Sequence, residues 1–197
     1  MMTKFFLFQS HIDLAHSYWE QLVEPGDTVI DATCGNGHDT LILSTLALKE
    51  GLGTVYAFDI QEMAIKNSHE LLSKNLKTED FAQVKFIQES HADFPSIIQP
   101  NSVKLIVYNL GYLPGGDKHK TTLSEVTAQS IQKAMELVMP GGLISITCYP
   151  GHPEGALEEA YLLKLEAALD PKSWSCCHHR WINRKHAPSL LLMQKGI

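Results

Sequence analysis

Five times along this chain of 197 residues, a short run rich in β-branched residues is followed by a segment with helical periodicity. The predicted strands of this pattern cover 28–31, 54–58, 84–87, 103–108 and 143–148. The predicted helices cover 12–22, 39–48, 62–76, 94–98, 123–138 and 156–169. Because parallel strands need crossover connections, the alternation predicts an α/β fold of three layers, with a mostly parallel sheet between two layers of helices.

Two more strands are predicted near the C-terminus, over 174–181 and 189–194, with a polar stretch and no helix between them. Strands joined without a crossover form an antiparallel hairpin, which we expect at the edge of the sheet. No repeat, low-complexity tract or linker divides the sequence. We therefore expect a single domain over 1–197, with a helical extension at 1–25.

Composition and charge exclude several classes of protein. Hydrophobic residues make up 44% and charged residues 19% of the chain, which is typical of a globular protein and not of a disordered one. The apolar runs are too short to span a membrane and residues 1–9 do not resemble a signal peptide, so we expect a cytoplasmic protein without membrane contact. The net charge of −6 argues against a general nucleic-acid binder. However, residues 170–197 hold five basic residues and one acidic residue, which is either an ordinary solvated face or a surface for an anionic ligand.

The four cysteines give no metal or redox signature. No pair has the CxxC spacing of a zinc knuckle. Cys176 and Cys177 precede two histidines, but neighbouring residues of a strand point to opposite faces, so these four side chains do not converge on one ion. We therefore expect no metal site and reduced cysteines.

The residues that follow the first two predicted strands suggest a nucleotide-like cofactor. Asp31 is followed by the loop Ala-Thr-Cys-Gly-Asn-Gly at 32–37, whose glycines allow a ligand to approach the backbone closely. Asp59 follows the second strand, 22 residues after Gly37, where a carboxylate can accept hydrogen bonds from both hydroxyls of a ribose. Ligands of parallel sheets bind at this carboxyl edge of the strands.

Two cofactors fit a glycine-rich loop that is followed by an acidic residue. The nicotinamide fingerprint G-x-G-x-x-G is incomplete, because Thr40 stands where the third glycine is needed. Asp39 also lies in the first turn of the next helix, where a pyrophosphate needs a site free of negative charge. S-adenosylmethionine has no phosphate and carries two cationic groups, so an acidic residue such as Asp31 suits it. The local chemistry favours S-adenosylmethionine, with a nicotinamide-dependent dehydrogenase as a more distant alternative.

Four strings carry a further signal: Asp-Ala-Thr-Cys-Gly-Asn-Gly-His-Asp-Thr at 31–40, Phe-Asp at 58–59, Asn-Leu-Gly-Tyr-Leu-Pro-Gly-Gly-Asp-Lys at 109–118 and Tyr-Pro-Gly-His at 149–152. In this order they resemble a bacterial and plant methyltransferase family described as putative rRNA methylase. The resemblance implies the Rossmann-like fold of class I methyltransferases, with a seven-stranded sheet that ends in an antiparallel hairpin. It also implies methylation of tRNA at the amine of 5-aminomethyl-2-thiouridine in the wobble position. At 183–189 the chain departs from the family's pattern Asn-Gln-x-Asn-x-Pro-Pro and keeps the first Asn and one Pro.

The predicted cofactor-binding residues follow strands at one edge of the sheet. Asp31 is expected to orient the loop and the methionine ammonium group, and Asp59 to bind the ribose. His91 stands where methyltransferases of this class contact the adenine. The alternatives are a helix-capping carboxylate for Asp31 and an ordinary histidine for His91. The full predicted set is Asp31, Thr33, Cys34, Gly35, Asn36, Gly37, Asp39, Thr40, Asp59, Gln61, Ser90, His91 and Asn109.

The predicted catalytic residues begin with Asn109, because Asn-x-x-Tyr at 109–112 resembles the Asn-Pro-Pro-Tyr signature of amino-methylating enzymes. In those enzymes the Asn side chain and a neighbouring carbonyl hold the target nitrogen, and an aromatic ring, here Tyr112, stacks on the base. An alkyl amine is mostly protonated at neutral pH, so a site residue must accept or relay its proton. Asp117 and His152 are the candidates, although a loop histidine is often only a turn residue.

Basic and aromatic residues are expected to contact tRNA near its anticodon. Cationic side chains would bind phosphates, which position RNA without specifying its sequence. Tyr149 or Trp181 would stack on an unpaired base, with a core Trp and exposed basic residues as the structural alternative. The predicted substrate-binding residues are Gly111, Lys118, Tyr149, Arg180 and Asn183.

Other functions stay open at this point. The acceptor could instead be rRNA or a small-molecule amine, and the negative overall charge favours the latter. A non-catalytic module that binds S-adenosylmethionine is a further alternative, which Asn109 and Tyr112 oppose. We expect a homodimer from the apolar residues near the N-terminus.

Overall fold

The computed structural model of the protein describes residues 8–111 and 124–197. The strands are β1 (Thr28–Asp31), β2 (Thr54–Phe58), β3 (Val84–Ile87), β4 (Val103–Asn109), β5 (Val138–Cys148), β6 (Trp174–His179) and β7 (Ser189–Lys195). The helices are α1 (His11–Leu22), α2 (His38–Ala47), α3 (Glu62–Asn75), α4 (Thr78–Phe81), α5 (Ser124–Leu137) and α6 (Pro153–Ala167). The predicted alternation of strands and helices is confirmed.

All seven strands join one sheet in the order β3-β2-β1-β4-β5-β7-β6. The first five strands pair in parallel, and β7 pairs antiparallel with both β5 and β6. This confirms the predicted C-terminal hairpin, whose second strand inserts between β5 and the edge strand β6. The chain leaves β1 towards β2 and later returns to β4 on its other side, so the strand order reverses between β1 and β4. That reversal places a crevice at the carboxyl ends of the two central strands.

Each face of the sheet has its own hydrophobic core, because successive strand residues point to opposite faces. Val29 and Leu105 pack with Trp19 of α1 and with buried residues of α2 and α3. Ile30 and Ile106 pack on the other face, with buried residues of α5 and α6. Full burial of one such aliphatic side chain stabilises the fold by about 1.5–3 kcal/mol. The three predicted layers are therefore held by two separate cores.

Several boundaries differ from the prediction. The helix predicted at 94–98 is wrong: this segment forms turns around Pro95, whose carbonyl accepts the N–H of Ile98 at 2.9 Å. Strand β5 begins at Val138, before the predicted start, and includes Pro140 and Gly141 in an irregularity of the β4–β5 pairing. The short helix α4 was not predicted. In the part of the chain that the structure describes, no helix combines the length and hydrophobicity of a membrane-spanning segment.

Candidate active site

A cavity of about 940 Å³ opens at the carboxyl ends of the parallel strands, where the strand order reverses. This volume is in the range of ordinary small-molecule sites. Most of the predicted cofactor residues line it, together with three other predicted site residues. The predicted residues in its wall are Thr33, Cys34, Gly35, Asn36, Asp39, Asp59, Gln61, Ser90, His91, Asn109, Gly111, Tyr149 and His152.

The glycine-rich loop after β1 is shaped by backbone hydrogen bonds. Cys34 donates its N–H to the carbonyl of Phe58 at 2.8 Å, and Gly37 donates to the carbonyl of Cys34 at 2.8 Å. Gly35 and Gly37 have φ angles of 51° and 85°, in the left-handed region that favours glycine. A Cβ on Gly37 would lie 2.8 Å from the Cα of Ser68 in α3. Only glycine therefore fits at the start of α2.

Asp31 lies behind this loop and does not form part of the cavity wall. It is 1% exposed and accepts hydrogen bonds from Thr40 Oγ1 at 2.6 Å and from the N–H of Thr33 at 3.1 Å. Burial, followed by the charge of Asp39, raises the pKa of Asp31 to about 7. Its carboxyl group joins the loop to the first turn of α2. Gly37 and Thr40 also lie behind the wall.

Asp59 extends from the end of β2 back to the glycine-rich loop. Its Oδ2 accepts the N–H of Gly35 at 3.0 Å, and its Oδ1 accepts the N–H of Gln61 at 2.8 Å. Burial raises the pKa of Asp59, and these backbone hydrogen bonds partly oppose the shift. Each carboxylate oxygen has more than one acceptor position, so the fixed group can still accept hydrogen bonds from a ligand's hydroxyls.

His91 closes the cavity beyond β3. Its ring is 8% exposed and packs edge-on against Tyr108, with 5.6 Å between the ring centroids. Burial lowers the pKa of His91 to about 4, so the imidazole is neutral at physiological pH. Among the described residues, none bonds its buried Nδ1. An unsatisfied buried nitrogen costs about 1–3 kcal/mol, which a polar ligand in the cavity would relieve.

Three side chains that are far apart in sequence meet at the end of β4. Asn109 donates through Nδ2 to Asp39 Oδ2 at 3.1 Å, and Asp39 Oδ1 lies 2.8 Å from Nε2 of His16 on α1. The backbone N–H of Asn109 donates to Thr33 Oγ1 at 2.7 Å. These bonds fix the position of the Asn109 amide. Sequence analysis missed His16, because helical periodicity predicted α1 but gave no sign that it borders the cavity.

Tyr149 follows β5 and packs on the backbone of Gly111, where a Cβ would lie 3.4 Å from the tyrosine ring. Its hydroxyl lies 3.5 Å from Nε2 of His11 on α1. Burial, followed by the charge of Asp39, raises the pKa of Tyr149 to about 12, against the effect of a hydrogen bond with the Asn109 side chain. The phenol is therefore protonated at neutral pH and borders the same amide.

His152 has a structural role in addition to its place in the cavity wall. Its Nδ1 accepts the N–H of Gly155 at 3.1 Å and so caps the N-terminus of α6. The sequence placed the start of this helix later, after Gly155. The capping bond commits one ring nitrogen of His152 to the fold.

Two predicted site residues that the structure describes, Arg180 and Asn183, are not in the cavity wall. Arg180 and Asn183 are exposed near the β6–β7 connection. The predicted residues Tyr112, Asp117 and Lys118 lie outside the described residues. The wall also contains residues that the sequence analysis did not select: Ile12, His16, Ala32, His38, Ile60, Glu89, Val126, Gly151 and His186. Glu89 and Gly151 could have been selected because they closely follow strands of the sheet. The α1 residues Ile12 and His16 could not, because only the packing of α1 against the sheet brings them to the cavity.

Comparison with known proteins gives a consistent family. The family described as putative rRNA methylase matches residues 55–195. A chloroplastic tRNA (mnm(5)s(2)U34)-methyltransferase of Arabidopsis thaliana is 40% identical over 187 residues, which cover 93% of this chain and 68% of that protein. A crystal structure of a putative rRNA-methylase from Clostridium thermocellum is 35% identical, with a TM-score of 0.88 over 95% of this chain and 98% of that one. A putative methyltransferase from Streptococcus mutans, in complex with SAH, is 28% identical, with a TM-score of 0.79 over 95% and 99%.

The residues of the cavity suit the chemistry of S-adenosylmethionine. The acidic residues in and behind its wall favour a cationic sulfonium and ammonium, and the fixed Asp59 carboxylate suits ribose hydroxyls. The unsatisfied Nδ1 of His91 suits a heterocycle with polar edges. The fold, the cavity and the similar proteins agree: this chain belongs to the family described as putative rRNA methylase and is a methyltransferase with S-adenosylmethionine as its cofactor.

Proposed function

We propose that the enzyme methylates the aminomethyl nitrogen of 5-aminomethyl-(2-thio)uridine at the wobble position of tRNA. The observation that carries the proposal is the Asn109 amide, which is held by Asp39 at the carboxyl end of β4. In the part of the chain that the structure describes, its NH₂ group donates to Asp39 Oδ2, and its carbonyl oxygen is the proposed acceptor of a hydrogen bond from a substrate amine. The name of the Arabidopsis relative supports tRNA and this nucleoside as the substrate.

The proposed site performs its chemistry mainly by positioning. S-adenosylmethionine supplies an electrophilic methyl group when it is bound. Asp59 and His91 would hold its nucleoside part, and Asp31 and Asp39 would favour its cationic part by their charge. Asn109 would hold the acceptor nitrogen. Placing two reactants in the correct geometry can supply about 7–11 kcal/mol of a reaction barrier.

A basic and aromatic surface beside the cavity supports an RNA substrate. The guanidinium of Arg184 lies 4.1 Å from the ring centroid of Trp181, and Phe8 packs edge-on against the same ring at 5.7 Å. Arg180 and Lys185 are exposed nearby in the β6–β7 connection. We propose that this surface binds phosphates of the anticodon arm. Arg184 and Phe8 already pack against the ring of Trp181. We therefore propose that the half-buried Tyr149, and not Trp181, stacks on the target base.

Three further expectations from the sequence stay predictions. They are a single domain over 1–197, a homodimer and a cytoplasmic location. Light scattering at several protein concentrations tests the homodimer, since a dimer has twice the mass of the 22.0 kDa chain.

Methyl transfer in vitro tests the proposed function. Purified enzyme and labelled S-adenosylmethionine are incubated with tRNA that carries the unmethylated aminomethyl nucleoside, and the digested nucleosides are analysed by mass spectrometry. We expect that nucleoside to gain one methyl group. Cofactor binding without transfer to it would contradict the proposal, and the same assay with rRNA and with small amines would then identify the acceptor class.

A further inference from the structure

His16 on α1 is bonded to Asp39, which belongs to the polar network of the cavity. The imidazole and the carboxylate are each 18% exposed, so both are accessible from the cavity yet mostly shielded from bulk water. Nε2 of His16 lies 2.8 Å from Asp39 Oδ1, a bond in which the imidazole is the donor when it is neutral. Its proton then sits on Nε2, and Nδ1 keeps a lone pair. In the described part of the chain, no hydrogen bond occupies that Nδ1, and it is not among the buried unpaired atoms.

The same carboxylate connects His16 to the amide that is proposed to hold the substrate. Asp39 accepts from His16 with one oxygen and from Asn109 Nδ2 with the other. Because His16 and Asn109 are both bonded to Asp39, the distance between the imidazole and the Asn109 amide is fixed. The carboxylate also stabilises the imidazolium that forms when the ring accepts a proton, as in other carboxylate–histidine pairs.

We propose that His16 accepts the proton of the substrate amine, with Asp39 holding the imidazole in the accepting tautomer. The inference rests on the proposed function, since it requires an amine acceptor. The ammonium form of the substrate loses one proton to Nδ1 of His16, which frees the nitrogen lone pair. That lone pair forms the N–C bond to the methyl group as the S–C bond breaks, and the product is a secondary ammonium ion. One proton is released per turnover, from His16 to water.

His152 is less suited to this role. Its Nδ1 accepts the N–H of Gly155, so the neutral ring carries its proton on Nε2 and has no lone pair left for the substrate. His91 lies on the other side of the cavity, beyond β3, and packs against Tyr108. The two rings therefore serve a helix cap and a cofactor pocket, whereas His16 shares a carboxylate with the amine-binding amide.

Titratable groups from three elements are coupled to the charge of Asp39, the partner of His16. Asp31 at the end of β1 and Tyr149 after β5 are coupled to the charge of Asp39. His11 and Asp13 lie on α1 with His16, and His11 is coupled to both Asp13 and Asp39.

The test is the pH dependence of single-turnover methyl transfer to tRNA that carries the aminomethyl nucleoside. The variants are His16→Asn and His16→Gln, with Glu20→Gln on the exposed face of α1 as the matched control. We expect both His16 variants to be about 100-fold slower than wild type at pH 7, the size of a typical general-base effect. The deficit should shrink to about threefold near pH 10, because the substrate amine then loses its proton to water.

The pH profile separates a proton acceptor from a structural residue. A deficit of the same factor at every pH, or a variant as fast as wild type at pH 7, would overturn the inference. Calorimetric titration with S-adenosylmethionine checks that the variants fold and bind the cofactor. The pH profile is measured on whichever His16 variant binds it. A wild-type enzyme that binds cofactor but leaves this nucleoside unmethylated would overturn the proposed function itself, and this inference with it.

Discussion

The two halves of the cavity are built in different ways. In the half formed by β1, β2 and the loops after them, the ligand-facing groups are held by backbone hydrogen bonds, such as those from Gly35 and Gln61 to Asp59. In the half formed by β4, β5, α1 and the first turn of α2, they are held by side chains that meet over long distances in sequence, such as His16, Asp39 and Asn109. We propose that the first half is a rigid cradle for the cofactor. The second half, a network of titratable groups, is the proposed site of an acceptor that must lose a proton.

The largest expected effect concerns the second half. Asn109→Ala removes the amide that is proposed to hold the acceptor nitrogen, so we expect methyl transfer to fall about 1000-fold, or about 4 kcal/mol of transition-state stabilisation. The dissociation constant of S-adenosylmethionine should change by less than about threefold, since the cradle of the first half is untouched. Single-turnover kinetics and calorimetric titration measure the two quantities.

Asn67→Ala is the matched control for this variant. Asn67 donates to Asn36 at 2.9 Å on the cofactor side, so its loss should weaken cofactor binding slightly and leave the transfer step intact. If Asn109→Ala lost cofactor affinity and kept its transfer rate, the two halves would not be functionally distinct.

The second prediction concerns the stability of the cofactor half. In Gly37→Ala, strain at a φ of 85° adds to the close approach of the new Cβ to Ser68, and we expect the free energy of unfolding to fall by about 3 kcal/mol. Gly26→Ala is the matched control, because its φ is 104° but nothing lies within 4 Å of the new Cβ. It should cost about 1 kcal/mol. Urea denaturation gives both values, and equal losses would show that α2 and α3 can move apart.

The fold could be predicted because its signals are local, and the residues proposed for the cofactor half were selected from signals of the same kind. Each parallel strand is a short buried run, and the residues that follow it reach the cavity without help from distant segments. Asp59 and the glycines at 35 and 37 are examples, since their roles depend on strand ends and on a turn. The resemblance to a known family then supplied the proposed substrate, which no local pattern contains.

The acceptor half could not be predicted in the same way because it depends on packing. His16 bonds a residue 23 positions away, and the hydroxyl of Tyr149 lies near a residue 138 positions away. Helical periodicity identified α1, yet it cannot show that α1 borders the cavity. Tyr112 and Asp117 lie outside the described residues, so their expected roles stay predictions.

The third prediction tests the cofactor half by affinity. Asp59→Asn keeps the size of the side chain but replaces one of the two oxygens that accept backbone N–H groups with an NH₂ group. We expect S-adenosylmethionine to bind about 30-fold more weakly, or about 2 kcal/mol, with little change in the transfer rate at saturating cofactor. Calorimetry gives the affinity, and stopped-flow or quench kinetics give the rate. A slower saturated transfer with unchanged affinity would place Asp59 in the acceptor half instead.

The smallest expected effect is a pH dependence of stability that arises from Asp31, behind the glycine-rich loop. Burial raises the pKa of Asp31 to about 7 in the folded protein, above its ordinary value of 3.8, so the unfolded chain releases this proton first as the pH rises. Protonated Asp31 therefore contributes to the stability of the fold. This contribution is complete below the pKa that Asp31 has in the unfolded chain, and it is lost as the pH rises through its pKa in the folded protein. The free energy of unfolding should fall by about 1 kcal/mol between pH 6 and 8. Asp31→Asn should remove this part of the pH dependence of the free energy of unfolding, measured by urea denaturation. It should also weaken cofactor binding at pH 8, where the lost charge no longer favours the cationic ligand.

Glu166→Gln is the matched control, because burial also raises the pKa of Glu166 to about 7 and its side chain lies on α6 outside the cavity wall. That variant should flatten the slope in the same way and leave cofactor affinity unchanged, so an equal loss of affinity in both variants would mean that the charge of Asp31 does not act on the ligand.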